Sequence, residues 1–278
     1  PDPLAPPASG RIERTGSRPG PPPVRLATFN VNSVRRRVPH LQRFLARHQP
    51  DLLFLQEIKC RTEEFPALEL AGTGYELRAI GQTGGRNGVA VLARIPFEVT
   101  AESLPGEPED AQARFVAVRA AGMEVAGIYL PNGNSGGEDG YAYKLRWMER
   151  LAAWAQERLD DFAPVAVLGD FNVCPTPADL APGALPPTDA LVRPETRARF
   201  RRLLHAGMTD ALRALHPADA PFTYWDYGPA FESNRGLRID HILLSPDLAE
   251  RLEVCGVDTV ARSEEQPSDH APVWCALR

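Results

Sequence analysis

Near one end of the chain, Ser268-Asp269-His270 stands just ahead of the apolar segment Ala271-Pro272-Val273-Trp274. Far upstream, Gly169-Asp170-Phe171-Asn172 ends a second apolar run, and Gln56-Glu57 ends a third. Carboxylates, an amide and an imidazole delivered at the ends of separate strands describe a site assembled by a sheet. Phosphodiester hydrolysis assisted by an oxygen-ligated metal ion fits that set. It needs an activated water, neutralisation of charge growing on the phosphoryl oxygens, and help for the leaving oxygen.

Glu57 closes an apolar run, so its carboxylate emerges at a strand end, beside Asn30 at the end of the preceding strand. Together they form a plausible pair of ligands for a hard cation such as Mg²⁺, which takes one or two carboxylates and keeps several waters. A mostly oxygen donor set with one imidazole disfavours zinc. Asp170 can orient or deprotonate a water, and the Asn172 amide can donate to a phosphoryl oxygen without adding charge. Neighbours on a strand point to opposite faces. Asp240 is therefore the better candidate to orient His270, which frees Asp269 for the metal and leaves His241 structural. The Tyr129 hydroxyl can donate to phosphate. Residues 222–227 are aromatic-rich and followed by Asn234-Arg235-Gly236-Leu237-Arg238, a pairing that suits base stacking or a minor-groove wedge. Arg35 is the favoured phosphate contact among Arg35-Arg36-Arg37. The cluster Arg197, Arg199, Arg201 and Arg202 reads as a solvated helix face.

These groups require many short strands to hold them. Strand patterns cover residues 24–31, 51–56, 75–80, 88–94, 115–119, 123–130, 164–169, 237–244, 254–260 and 271–277, punctuated by Gly and Pro. Helical spacing is expected from Pro39 to about Gln49, over 141–159 with Leu145, Met148, Leu151, Ala152 and Ala155 on one face, and over 195–204 and 209–215. Two packed sheets with helices outside fit this alternation. Residues 1–23, rich in Pro, Gly, Ser and Arg, read as a disordered tail. Residues 24–278 read as a single catalytic domain.

Composition sets the outer bounds. Of 278 residues, 43% are apolar, enough for a full core, and no run approaches a membrane span. The tail lacks the apolar block of a secretory signal, and Asp2 and Glu13 break the acid-poor pattern of a transit peptide. Four scattered cysteines without a C-x-x-C pair argue against zinc or a disulfide framework, and a reducing compartment is the default. The net charge of −5 argues mildly against blanket nucleic-acid binding but permits a local basic groove. No unmatched apolar stripe calls for a partner, so a monomer is expected.

In order along the chain, six segments resemble the exonuclease III family of abasic-site endonucleases, in the endonuclease/exonuclease/phosphatase superfamily. They are Ala27-Thr28-Phe29-Asn30-Val31-Asn32-Ser33-Val34-Arg35, Leu55-Gln56-Glu57-Ile58-Lys59-Cys60 and Tyr129-Leu130-Pro131-Asn132-Gly133. Gly169-Asp170-Phe171-Asn172, Asn234-Arg235-Gly236-Leu237-Arg238-Ile239-Asp240 and Ser268-Asp269-His270-Ala271-Pro272-Val273 complete the set. The resemblance implies a four-layer α/β/β/α sandwich of mixed sheets, with the site at one rim. It also implies Mg²⁺ or Mn²⁺ dependence with one or two ions, incision 5′ to abasic sites in duplex DNA, and 3′-exonuclease and 3′-end repair on blocked ends. A bacterial cytoplasmic setting follows.

Asn30, Glu57 and Asp269 match the family's metal-proximal positions, to which Asp170, Asn172 and His270 are added. Tyr129, Asp170, Asn172, Asp240 and His270 match its catalytic ones. Whether Asp170 or His270 is the base stays open. Arg35, Asn132, Tyr224, Trp225 and Arg235 are the expected DNA contacts. Two departures stand out: Asn32 where some members carry Asp, and Tyr224 where others carry Trp or Phe in the wedge region. A lipid, inositol phosphate or nucleotide phosphodiesterase, and a catalytically dead DNA-binding relative, are the competing readings.

Overall fold

The computed structural model describes residues 23–278; the expected tail lies outside the described residues, save Pro23. The first half of the chain runs β1 (Val24–Asn30), α1 (Val34–His48), β2 (Leu52–Gln56), α2 (Ala67–Leu70), β3 (Glu76–Ile80), β4 (Val89–Ala93), β5 (Glu98–Ala101), β6 (Phe115–Ala120) and β7 (Met123–Tyr129). The second half runs α3 (Gly137–Asp160), β8 (Val165–Asp170), α4 (Pro194–His205), β9 (Thr209–Asp210), α5 (Ala211–Leu215), β10 (Asp240–Leu244), α6 (Pro246–Ala249), β11 (Leu252–Val257) and β12 (Val273–Leu277).

Two six-stranded sheets result, ordered β11-β12-β1-β2-β4-β3 and β5-β6-β7-β8-β10-β9. Each has one parallel pair at its centre, β1 with β2 and β7 with β8, and antiparallel neighbours otherwise. The central strands β2, β4, β8 and β10 are buried at every position. That is why their sequences are continuous apolar runs instead of alternating ones. The outermost strands β3, β5 and β11 carry exposed residues. β5, short and half-exposed, offered no apolar pattern to read.

Side chains from the facing sheets fill the middle layer, among them Leu26, Phe54, Val91, Val118, Leu168, Ile242 and Val273. Phe54 lies against Gly127, where an added Cβ would fall 2.1 Å from the Phe54 ring. The outer layers follow from amphipathic helices. On α1, Val34, Leu41, Phe44 and Leu45 cover Phe29, Leu53 and Leu55 of the first sheet. On α3 and α4, Trp147, Met148, Leu151 and Phe200 cover Phe115, Ile128 and Val167 of the second. The expected four-layer sandwich is the observed architecture.

Three differences in local boundaries have a clear physical reason. The helix expected to open at Pro39 begins at Val34 and contains Pro39. The proline ring removes only the bond to the carbonyl of Arg35, an exposed residue, and the buried stripe keeps the helix intact. The expected helix at 209–215 starts as β9, because Thr209 and Asp210 pair with Leu244 and Leu243. Asp210 then caps α5 by accepting from the Arg213 N–H at 3.1 Å. Strand β10 begins only at Asp240; Leu237 instead bridges singly to Leu180 and Tyr224.

Behind β10, the buried Arg238 donates to Asp179 and Asp210, at 2.7 Å each. Burial alone would raise both carboxyls, but Arg238 and the bonds around them hold both below the usual carboxylate range. A folded-state value depressed in this way adds stability above the unfolded value of about 4, and that stability disappears as pH falls through the depressed value. Acid titration of unfolding, followed by circular dichroism, should therefore show stability lost below about pH 4, and less steeply in Asp179→Asn. Gly127→Ala should cost about 1–3 kcal/mol in urea unfolding, because the new methyl must displace Phe54 from the centre of the sandwich.

Candidate active site

Register delivers the site. Asn30 lies opposite Gln56 at the ends of β1 and β2, and Asp170 is flanked by Tyr129 on β7 and Asp240 on β10. The two sheets meet there: the Asn30 amide donates to Glu57 Oε1 at 2.9 Å and to Asp170 Oδ2 at 3.0 Å. Gly169, at φ 151°, turns the backbone into Asp170, and a Cβ there would lie 2.0 Å from the Ile128 carbonyl. Asn172 follows at φ 48° and donates its N–H to Asp170 Oδ1 at 2.8 Å.

His270 stands against both acids of the second sheet. Its Nδ1 lies 2.8 Å from Asp240 Oδ2 and its Nε2 lies 3.8 Å from Asp170 Oδ2. Asp240 Oδ2 also accepts from the Thr223 hydroxyl at 2.7 Å, while Oδ1 is buried with no hydrogen-bond partner. Burial opposes charging of His270, but Asp240, Asp170 and Asp269 outweigh it and push the imidazole up to about 10. Burial pushes the Asp170 carboxyl up to about 7; the His270 charge opposes that rise, while Asp240 and Glu57 add to it. The acids around it therefore favour the protonated form of His270. Burial next to Glu57 and Asp170 holds the Tyr129 hydroxyl well above its ordinary value, so it stays a neutral donor. For Glu57, burial is outweighed by the Lys59 ammonium and the Asn30 bond, and the carboxyl falls below its usual range.

Ligand atoms of Glu57, Asp170 and His270 lie within 4.8 Å of one another. Two carboxylates and one imidazole make an oxygen-rich donor set suited to a hard cation. Asn30 turns its amide N–H groups to those carboxylates, and its oxygen accepts from the Asn32 N–H at 3.0 Å. It gathers the carboxylates and offers them no ligand oxygen, because two acceptors fix the amide's orientation. The Asn172 amide is likewise engaged, donating to the Leu130 carbonyl at 2.9 Å and accepting from Asn132 at 3.0 Å, so its oxygen too faces away from the acids. Asp269 falls outside the compact cluster and accepts from the Asn32 side chain at 3.0 Å.

The expected DNA contacts separate. Tyr224 sits with its ring 5.0 Å from that of His270 and, with Leu185, Leu237 and Ile239, walls a cavity of about 310 Å³ that also opens on Asp170 and His270. Asn132 is exposed at the same cavity. Arg235 is exposed beside it, one guanidinium nitrogen bonding the Gly183 carbonyl at 2.7 Å. Trp225 is different: it is 2% exposed, donates to Asn234 at 3.1 Å and packs on Phe222 and Phe231. A ring so enclosed cannot stack on a base; it props the loop. Arg35 borders a separate hollow with Glu63, Glu64 and Phe65, because it projects from the first turn of α1 away from the rim.

Three residues with no such role assigned from sequence hold the site together. Arg37 is buried and donates to the Asn32 and Pro267 carbonyls and the Tyr227 hydroxyl, tying three segments of the rim. Lys144, fully buried, donates to the carbonyls of Asn132 and Asn172 at 2.9 and 2.6 Å. It occupies the apolar stripe of α3 with Met148, Leu151 and Ala155, and a lysine in that stripe was the available signal. Lys59 pairs with Glu57 Oε2 at 2.8 Å.

Comparison with known proteins is consistent along the whole described chain. Residues 27–270 match the Endonuclease/Exonuclease/phosphatase family. The chain is 34% identical over 268 residues to the exodeoxyribonuclease III of Haemophilus influenzae, covering 92% of this chain and 100% of that protein. A 3′ phosphatase, NExo from Neisseria, solved with a product DNA hairpin, superposes with a TM-score of 0.86 at 36% identity, over 92% of this chain and 99% of that one. An AP endonuclease from Archaeoglobus fulgidus gives 0.85 at 35% identity, over 91% and 99%. With identity of this order across more than nine-tenths of each chain, the chain belongs to the endonuclease/exonuclease/phosphatase family and, within it, to the exonuclease III family of DNA-repair nucleases.

Proposed function

We propose that this protein is a Mg²⁺-dependent nuclease that incises duplex DNA 5′ to abasic sites and also removes or repairs 3′-terminal residues. The observation that carries the reading is the convergence of Glu57, Asp170 and His270 within 4.8 Å, on a cavity with one apolar wall. Tyr224, Leu185 and Leu237 give that wall a surface suited to a deoxyribose without its base. The printed activities of the relatives, exodeoxyribonuclease and AP endonuclease, support the same substrate class.

Glu57 and Asp170 would hold the Mg²⁺, or Mn²⁺ in its place. Once bound, the ion supplies Lewis-acid polarisation of the phosphate and lowers the cost of ionising water. The remaining work belongs to the chain. Asp170, with a carboxyl raised toward neutrality by burial, is placed to accept a proton from the attacking water. His270, oriented through Nδ1 by Asp240, presents its Nε2–H to charge developing on a phosphoryl oxygen. Tyr129 supplies a neutral hydroxyl at the far side of Glu57. Asn30 keeps the two metal-binding carboxylates at fixed separation, and Asn172 fixes the turn that aims Asp170.

A duplex with a single tetrahydrofuran abasic analogue should be cut on the 5′ side in Mg²⁺ and left intact with EDTA. Intact duplex in Mg²⁺, with turnover of sphingomyelin or an inositol polyphosphate instead, would replace the DNA reading with a lipid or inositol one. Asp170→Asn should lower kcat by about 10³-fold while leaving the DNA Kd within a few-fold, since the lost interaction acts on the proton in flight. His270→Asn should lose a comparable factor, because the imidazole stabilises charge formed only during the reaction; turnover unchanged in either variant would count against its assigned role.

A further inference from the structure

Glu57 is already occupied by the protein itself. Its Oε1 accepts from Asn30 at 2.9 Å, and its Oε2 takes the Lys59 ammonium at 2.8 Å. The Lys59 contact is built by strained backbone. Glu57 and Lys59, two residues apart, both take positive φ, 50° and 51°, a region that costs ordinary side chains about 1–3 kcal/mol each. Four backbone bonds hold the turn: Ser33 and Val34 donate to the carbonyls of Glu57 and Ile58, and Ile58 and Lys59 donate to those of Gly88 and Asn87. A turn fixed on both sides folds the ammonium back onto the carboxylate that precedes it.

A second partner fixes the ammonium. Lys59 Nζ donates to Asn32 Oδ1 at 2.6 Å, and the Asn32 amide donates onward to Asp269 Oδ1 at 3.0 Å and to the Tyr227 hydroxyl at 3.0 Å. An aspartate at position 32 would hold the lysine as a second anion; the amide holds it without adding charge. Lys59 is nonetheless 32% exposed along its side chain. It opens on a groove of about 780 Å³ whose lining includes Arg86, Arg114, Gln82 and Asn132, on the far side of Glu57 from His270.

We propose that Lys59 is a tethered counter-ion for Glu57: a divalent cation that takes Glu57 must displace the ammonium, which then turns into the Arg86–Arg114 groove and is free to pair with a DNA phosphate. The inference rests on the metal-dependent reading of the site and adds a competition built into the chain. No covalent step is involved. One positive charge leaves a carboxylate, another replaces it, and the released charge finds an anion within reach of a four-carbon stem. By linkage, ion and DNA then favour each other's binding, since each removes a cost the other would meet.

The test uses the full chain without DNA and reads Mn²⁺ binding directly, by the loss of the free-ion electron paramagnetic resonance signal on titration. Lys59→Met should bind Mn²⁺ about tenfold more tightly than the parent protein, the order expected when a like charge is removed from a partly exposed site. Lys59→Arg, which keeps the charge, should stay near the parent value. Equal or weaker binding by Lys59→Met, with the parent protein binding Mn²⁺, overturns the counter-ion role alone. A parent protein that binds no Mn²⁺ overturns both this role and the metal-dependent reading. In a second arm, binding to undamaged closed-circular duplex is measured against salt concentration. In Mn²⁺ the slope should be shallower for Lys59→Met than for the parent by roughly 0.9, one released counter-ion. Identical slopes would remove the phosphate half of the proposal.

Discussion

Repulsion among buried carboxylates is the constraint around which the rim of this protein is organised. Asp170 and Asp240 are 1% exposed, Glu57 adjoins them, and Asp269 follows one residue before His270. Two like charges about 4 Å apart repel by roughly 4 kcal/mol at the effective dielectric of a protein surface, and by more inside. Each compensating group is therefore placed against a specific oxygen: His270 on Asp240, Asn30 between Glu57 and Asp170, Lys59 on Glu57. Compensation stops short of completion, since Asp240 Oδ1 is left without a partner and Asp170 is pushed up to about 7. A site left short of positive charge in this way favours the arrival of a cation, which is the electrostatic core of the proposed chemistry.

The sheets make that crowding possible. A parallel pair sends both of its C-terminal ends to one rim, so each sheet delivers adjacent side chains without any loop having to place them. Packing the two sheets face to face brings one pair's Asn30 to the other pair's Asp170. The antiparallel strand β10 enters the same rim in reverse and adds Asp240 opposite Asp170. Loops then refine what the strands deliver. Lys144 binds the carbonyls of the two turns after β7 and β8, although burial pushes its amine down to about 7. Arg37 does the same for the turns after β1 and before β12. Both cations are spent on backbone, so their effect on chemistry is through the shape of the rim.

Much of this was legible from residue types alone. Apolar runs too short for helices marked the central strands, because strands buried on both faces carry no alternation. Polar residues closing those runs marked Asn30, Glu57 and Asp170, since a buried run must hand over to solvent or to a site. The pairing of His270 with Asp240 followed from strand alternation. Trp225 misled, because an aromatic block beside arginines looks the same whether its rings stack on a ligand or prop a loop. How Asn30 and Asn172 turn their amides was not legible, since an amide presents an oxygen or a nitrogen according to neighbours that lie far away in sequence. The carbonyl-binding roles of Arg37 and Lys144 were hidden because a cation's default place is the surface, and only tertiary packing surrounds it with carbonyls.

By itself, then, the order of apolar runs determined two packed sheets with helices outside and a set of acids at strand ends, and the family resemblance implied that they share one rim. That information is local: a strand's period and its terminal residue are written within a few positions. Tertiary structure alone decided which atom of each side chain faces which neighbour, that His270 lies among acids, and that Lys59 folds back on Glu57. Those outcomes depend on distances between segments far apart along the chain and on a dielectric that exists only once the sheets have closed over them.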